Sequence, residues 1–128
     1  LLPEAAKTEF YNLYLALAQR ASETNADYKD RVGEIRVSKR EGGDIEIDKE
    51  DWPSYHVALE LAHPGKQITI KGKSTRSASE TRWLKTVVLK LDIDTKSNLH
   101  LYRDGQEVTF DDIAKMLFVA IVTGSDFQ

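Results

Sequence analysis

Apolar residues recur at helical spacing near both ends of the chain and at every second position between them. Phe10, Leu13, Tyr14, Leu17 and Ala21 fall on one stripe, with Asn12, Gln19 and Arg20 off it. That repeat predicts an amphipathic helix packed on a sheet. Pro3 suits its first turn, because the N–H that proline lacks would be unpaired there anyway. The polar segment from Ser22 to Asn25 is expected to end it. From Arg31 the period becomes two. Gly33, Ile35 and Val37 alternate with Glu34, Arg36 and Ser38, and Ile45 and Ile47 alternate with Glu46 and Asp48. Two alternating runs around Glu41-Gly42-Gly43-Asp44 predict a hairpin with one aliphatic and one charged side.

The alternation continues. Tyr55, Val57, Leu59 and Leu61 share one side of a longer strand, with His56, Ala58, Glu60 and Ala62 on the other. His63-Pro64-Gly65 breaks that strand, since proline cannot donate to a ladder and glycine permits positive φ. Ile68 and Ile70 form the return. The stretch from Gly72 to Thr81 (GKSTRSASET) is polar and serine-rich, and reads as a mobile loop. Trp83 to Asp94 carries Val87, Leu89, Leu91 and Ile93 on one face, and its length predicts a bend or a bulge. Thr95 to Asn98 makes a turn. Leu99 and Leu101 then alternate with His100 and Tyr102 up to Asp104-Gly105.

A second helix is well marked. Thr109 and Asp112 stand at capping-box spacing, and Val108 and Ile113 at staple positions. Ile113, Met116, Leu117, Ala120 and Ile121 form its apolar stripe, and Gly124 is its stop. Phe118, Val119 and Val122 lie off that stripe. Either this helix end is wedged between sheet and first helix, or it forms a homodimer contact.

The pattern therefore predicts an α+β fold. An N-terminal helix is followed by an antiparallel meander of about six strands, strongly curved or barrel-like, and by a C-terminal helix packed on it. Residues 1–128 read as one domain. The element order is loosely similar to pleckstrin-homology-like barrels and to helix-grip folds, without a residue motif of either, and such a likeness carries no function.

Composition fits a globular chain of 128 residues, 41% hydrophobic and 30% charged. The absence of cysteine excludes a disulfide framework, a thiolate metal site and a cysteine nucleophile. It suits a reducing compartment, so a cytoplasmic location is the expectation. No apolar run approaches the ~18 residues of a membrane span. The N-terminus lacks a signal-peptide pattern, and Leu1 is no initiator methionine, so a segment is expected to have preceded it.

Motifs for chemistry are weak. Gly72-Lys73-Ser74-Thr75 resembles the tail of a phosphate-binding loop, but Gln67 stands where the first glycine is required. Asp92 to Arg103 resembles a calcium loop only at its start, with Lys96 at an oxygen-donor position. His56, His63 and His100 stand at no metal-ligand spacing. No metal, no cofactor and no catalytic set is expected.

Charge distribution says more. The net charge is −3. Glu41, Asp44, Glu46, Asp48, Glu50 and Asp51 make the first hairpin acidic. Lys66, Lys71, Lys73, Arg76, Arg82, Lys85 and Lys90 make a later segment basic, opposed only by Glu80. The favoured reading is a small non-catalytic binding or assembly module. Its anion or partner contacts would be Lys71, Lys73, Arg76, Arg82 and Lys85, with Phe118, Val119 and Val122 at a dimer contact. A protein partner or a second copy is preferred over an anionic ligand or nucleic acid. The alternative is a ligand-binding or enzymatic cup lined by Trp52, Tyr55 and Trp83.

Overall fold

Thirty-one residues form the first helix, α1 (Leu2–Val32). The strands are β1 (Ile35–Lys39), β2 (Ile45–Lys49), β3 (Ser54–Ala62), β4 (Gln67–Ser77), β5 (Glu80–Trp83), β6 (Val87–Ile93), β7 (Leu99–Arg103) and β8 (Gln106–Val108), followed by α2 (Phe110–Thr123). The computed structural model describes residues 2–62 and 66–128, so the expected break at His63-Pro64-Gly65 lies outside the described residues.

The sheet order is β1-β2-β3-β4-β6-β7-β8, with antiparallel neighbours throughout. β5 pairs the far half of β4. Gln67 to Ile70 of β4 face β6, and Lys73 to Ser77 face β5. Between them the Leu84 N–H donates to the Gly72 carbonyl at 2.9 Å. The bend expected in Trp83–Asp94 is this interruption. β1 and β8 do not pair with each other, so the sheet is open and the barrel-like expectation is corrected.

Two further expectations change. The Gly72–Thr81 loop is the outer half of β4, a tight turn and the start of β5. With β8 this raises the strand count to eight. The Asp104-Gly105 turn that leads into β8 has positive φ at both residues, 51° and 82°, as a two-residue hairpin loop requires. α1 does not end at Ser22–Asn25 but continues to Val32. Asn25 is held by tertiary contact: its side chain accepts from the Ile35 N–H at 2.8 Å and donates to the Ile35 carbonyl at 2.9 Å. Gly33, expected in a strand, stops α1 instead, with φ 92° and its N–H on the Lys29 carbonyl.

Both helices cover one face of the sheet. Phe10, Leu13, Leu17 and Ala21 of α1, and Ile113, Leu117, Phe118 and Ile121 of α2, are buried together with Ile35, Ile47, Val57, Ile70 and Leu89 of the strands. α2 carries the expected reciprocal cap between Thr109 and Asp112, and Gly124 ends it at φ 70°. Among the described residues the opposite face of the sheet has no helical cover. Its side chains meet water, as an antiparallel sheet with one buried face allows.

Candidate functional site

The uncovered face brings together residues from five strands. Cross-strand pairing sets Arg36, Asp48, His56, Lys73 and Trp83 side by side in one row. A parallel row holds Ser38, Glu46, Ala58 and Lys71. The β2 side is acidic. His56 Nδ1 meets Asp48 Oδ1 at 2.5 Å, with Glu46 3.9 Å from Nε2. Arg36 is taken by Glu50 at 2.7 Å. The β4 side is basic, with Lys71 and Lys73 exposed. Trp83 is 75% exposed at the end of the row. His56, Ala58, Lys71, Gly72, Lys73 and Trp83 bound a shallow depression of about 200 Å³.

The expected basic contact is divided by the sheet. Lys71 and Lys73 lie on the open face. Arg76 and Arg82 lie toward the helices and the C-terminal segment. Arg76 Nη2 donates to the Gly124 carbonyl at 2.6 Å. Arg82 is half-buried, and its Nε and Nη2, like the neighbouring Ser74 hydroxyl, have no partner among the described residues. The Lys85 side chain is exposed, while its backbone N–H donates to Asp126.

The three aromatic rings expected in one cup stand apart. Trp52 is 60% exposed in the loop before β3. Tyr55 is buried on the helix side, where its hydroxyl reaches the Ser125 carbonyl at 2.7 Å and the Ala120 carbonyl at 3.1 Å. Burial raises the pKa of this phenol. Trp83 faces the other way. Of the expected dimer residues, Phe118 is buried, Val119 is 45% exposed and Val122 is half-buried. With Glu23, Asp27 and Tyr28 of α1 they line a groove of about 480 Å³ between the helices.

Two polar arrangements were not anticipated. Lys49 ends β2 on the buried face, where its Nζ donates to the Val32 carbonyl at the end of α1, at 2.9 Å. Burial lowers its pKa. The alternation Ile45, Ile47, Lys49 carried this signal. On β7, His100 is bracketed by Asp94 at 2.8 Å and Glu107 at 2.6 Å. Asp94 also accepts from the Lys96 and Asn98 N–H groups, so the segment that resembles a calcium loop spends this carboxylate on its own turn and on His100. His56 and His100 share the open face but lie at different ends of it, His56 level with Lys73 on the outer half of β4 and His100 three strands away, beyond the level of Gln67.

The His100 clasp makes stability pH-dependent. Its two carboxylates raise the imidazole pKa to about 8, while His100 and the turn amides lower that of Asp94 to about 2. The histidine contribution is complete below its unfolded value near 6.5 and is lost as pH rises through about 8. The Asp94 contribution is complete above 3.8 and is lost as pH falls through about 2. The denaturation midpoint of wild type over His100→Gln is therefore expected to be widest between about pH 4 and 6.5 and to narrow toward pH 9. A gap that widens toward pH 9 would contradict this assignment.

Among the described residues no group of three His, Cys, Asp or Glu is placed to hold a metal ion. Around His100 the carboxylates stand at opposite ring nitrogens rather than facing a common point. Among the described residues no helix is long and apolar enough to cross a membrane. Gly72-Lys73-Ser74-Thr75 lies within β4, without the following helix whose N-terminus a phosphate loop needs. Comparison with protein-family models, with curated proteins and with solved structures finds no match.

Proposed function

We propose that this chain is a non-catalytic binding module, and that the basic half of its open sheet face docks an acidic protein surface. The observation that carries this reading is Trp83, 75% exposed and paired across the strands with Lys73. A large exposed ring beside cations is a common interface anchor, since it buries much apolar area at small entropic cost. Lys71 and Lys73 supply attraction and orientation more than raw affinity.

Nucleic acid is the less favoured partner. Glu46, Asp48 and Glu60 stand on the same face as the two lysines, within two strands of them. They would repel a continuous phosphate track, whereas an acidic protein patch can end where the basic patch ends. A single ring also offers less than the successive stacking platforms of single-strand binders.

The test uses Trp83 as its own reporter. Trp52→Phe leaves one tryptophan. Titrating dilute protein with poly-L-glutamate at low salt is expected to change Trp83 fluorescence saturably. Lys71→Glu with Lys73→Glu is expected to weaken that binding by at least about tenfold, with the difference shrinking as salt rises. No fluorescence change, or binding indifferent to the reversed charges, overturns the reading. Tighter binding to a single-stranded oligothymidylate would overturn the acidic-protein partner in favour of nucleic acid.

A further inference from the structure

Among the described residues, two uncommitted surfaces of opposite charge lie on opposite sides of the sheet. One is the Trp83 knob with Lys71 and Lys73 on the open sheet face. The other is the interhelical groove, floored by Phe118, Val119 and Val122 and walled by Tyr28, Glu23 and Asp27. The groove also holds Arg20, but that guanidinium already meets Asp111 at 3.3 Å. Among the described residues Glu23 and Asp27 have no such cation. The groove is thus apolar at its floor and acidic at its wall. The knob is apolar at its centre and basic at its rim.

We infer that the acidic surface received by the open face is this groove on a second copy of the chain, with Trp83 seated on Val119 and Val122 and with Lys71 and Lys73 facing Glu23 and Asp27. The inference rests on the reading proposed above and names its partner. Three features support the pairing. The charges are complementary in sign. The groove, at about 480 Å³, is roomier than the 200 Å³ depression beside Trp83 itself. And because the sheet separates the two surfaces, a copy cannot fill its own groove.

Geometry then sets the assembly type. Knob and groove are different patches, so the contact is head-to-tail and each added copy leaves one knob and one groove free. One tryptophan with two flanking cations buries less than the ~1,200 Å² of a stable interface. The contact is therefore weak and strengthens at high concentration and low salt.

Sedimentation velocity of the unmodified chain over a concentration series is expected to show mass rising past dimer at low salt and returning to monomer at high salt. Trp83→Ala and Val119→Glu both change exposed positions, and circular dichroism and melting should confirm their folding. Each is expected to lose self-association by about thirtyfold, as for an interface anchor. Mixed in equal amounts they are expected to form a dimer and nothing larger, because the first keeps its groove and the second keeps its knob. A monomer at every concentration overturns the self-assembly. So does association that survives both variants, or a mixture that stays monomeric. Poly-L-glutamate binding in the titration described above, together with a strictly monomeric chain, would retain the acidic-surface reading and remove only the second copy.

Discussion

Gly33→Ala is expected to destabilise the chain by about 2–5 kcal/mol, read as a shift in the urea midpoint. Two independent effects add at this position. The backbone has φ 92°, in the region that costs an L-residue roughly 1–2 kcal/mol. A Cβ would also lie 2.5 Å from the Asp51 Cβ and 2.7 Å from its Oδ2. The Asp51 carboxylate is exposed and can swing aside, but its Cβ is fixed to the main chain. Relief therefore needs movement of the loop between β2 and β3 or of the α1 terminus, where the Gly33 N–H closes the helix on Lys29. Forced shifts of this kind cost roughly 1–3 kcal/mol. The double variant Gly33→Ala with Asp51→Gly separates the two effects. It removes the collision and leaves the backbone term, so about 1–2 kcal/mol of loss should remain relative to Asp51→Gly alone. A loss below about 0.5 kcal/mol in the single variant would show that this approach of loop and helix is not held in solution.

The same region shows what a one-dimensional reading captures. Alternation placed Ile35, Ile47, Val57, Ile70, Leu89 and Leu101 on one face, and all are buried. It works because the face opposite them meets water along most of every strand. It fails in the outer half of β4, where inward positions are Gly72 and Ser74 rather than aliphatic residues. There the cover is not a helix. It is the C-terminal segment, with Phe127 buried, the Ser125 carbonyl on Tyr55 and the Gly124 carbonyl on Arg76. A segment some fifty residues distant in sequence sets what β4 can carry, so local composition reads as loop. Lys49 is the converse case. As a charged residue it reads as the start of a loop, Lys49 to Ser54, yet its period-two position is the last inward one of β2, and the Val32 carbonyl at the end of α1 receives its ammonium there.

The candidate contact surface was legible in part. Outward-facing residues were assigned correctly on β1, β2 and β3, where turns are marked by glycine and proline. Which of them become neighbours depends on register. The pairing of Lys73 with Trp83 is set by the turn at Ala78-Ser79 together with the one-residue register shift between Thr75 and Ser77, both inside the stretch that reads as loop. Hence Lys71, Lys73, Arg76 and Arg82 looked like one patch. Once Gly72–Ser77 is extended, alternation sends Lys71 and Lys73 one way and Arg76 and Arg82 the other.

Asn25→Ala is expected to cost about 2–4 kcal/mol, although local propensity favours the change. Alanine in a helix interior is better than asparagine by roughly 0.5 kcal/mol, which is why a polar Ser22–Asn25 run reads as a helix end. Tertiary bonding outweighs it. The Asn25 amide supplies both partners of the Ile35 backbone, accepting from its N–H and donating to its carbonyl, and so continues the ladder of edge strand β1 by a side chain. Ile35 is 1% exposed, so alanine leaves a donor and an acceptor with little access to water. Each orphaned group costs roughly 1–3 kcal/mol. Asn25→Asp preserves the acceptor but sets a carboxylate oxygen against the carbonyl, and should fall at least as far. The local readout is amide hydrogen exchange at Ile35, which should accelerate in both variants by more than at Val57, in the central strand β3. Uniform acceleration, or a loss below about 0.5 kcal/mol, would mean that packing of Leu13, Leu17 and Ala21 alone carries α1 past its polar segment and that the Asn25 bridge contributes nothing measurable.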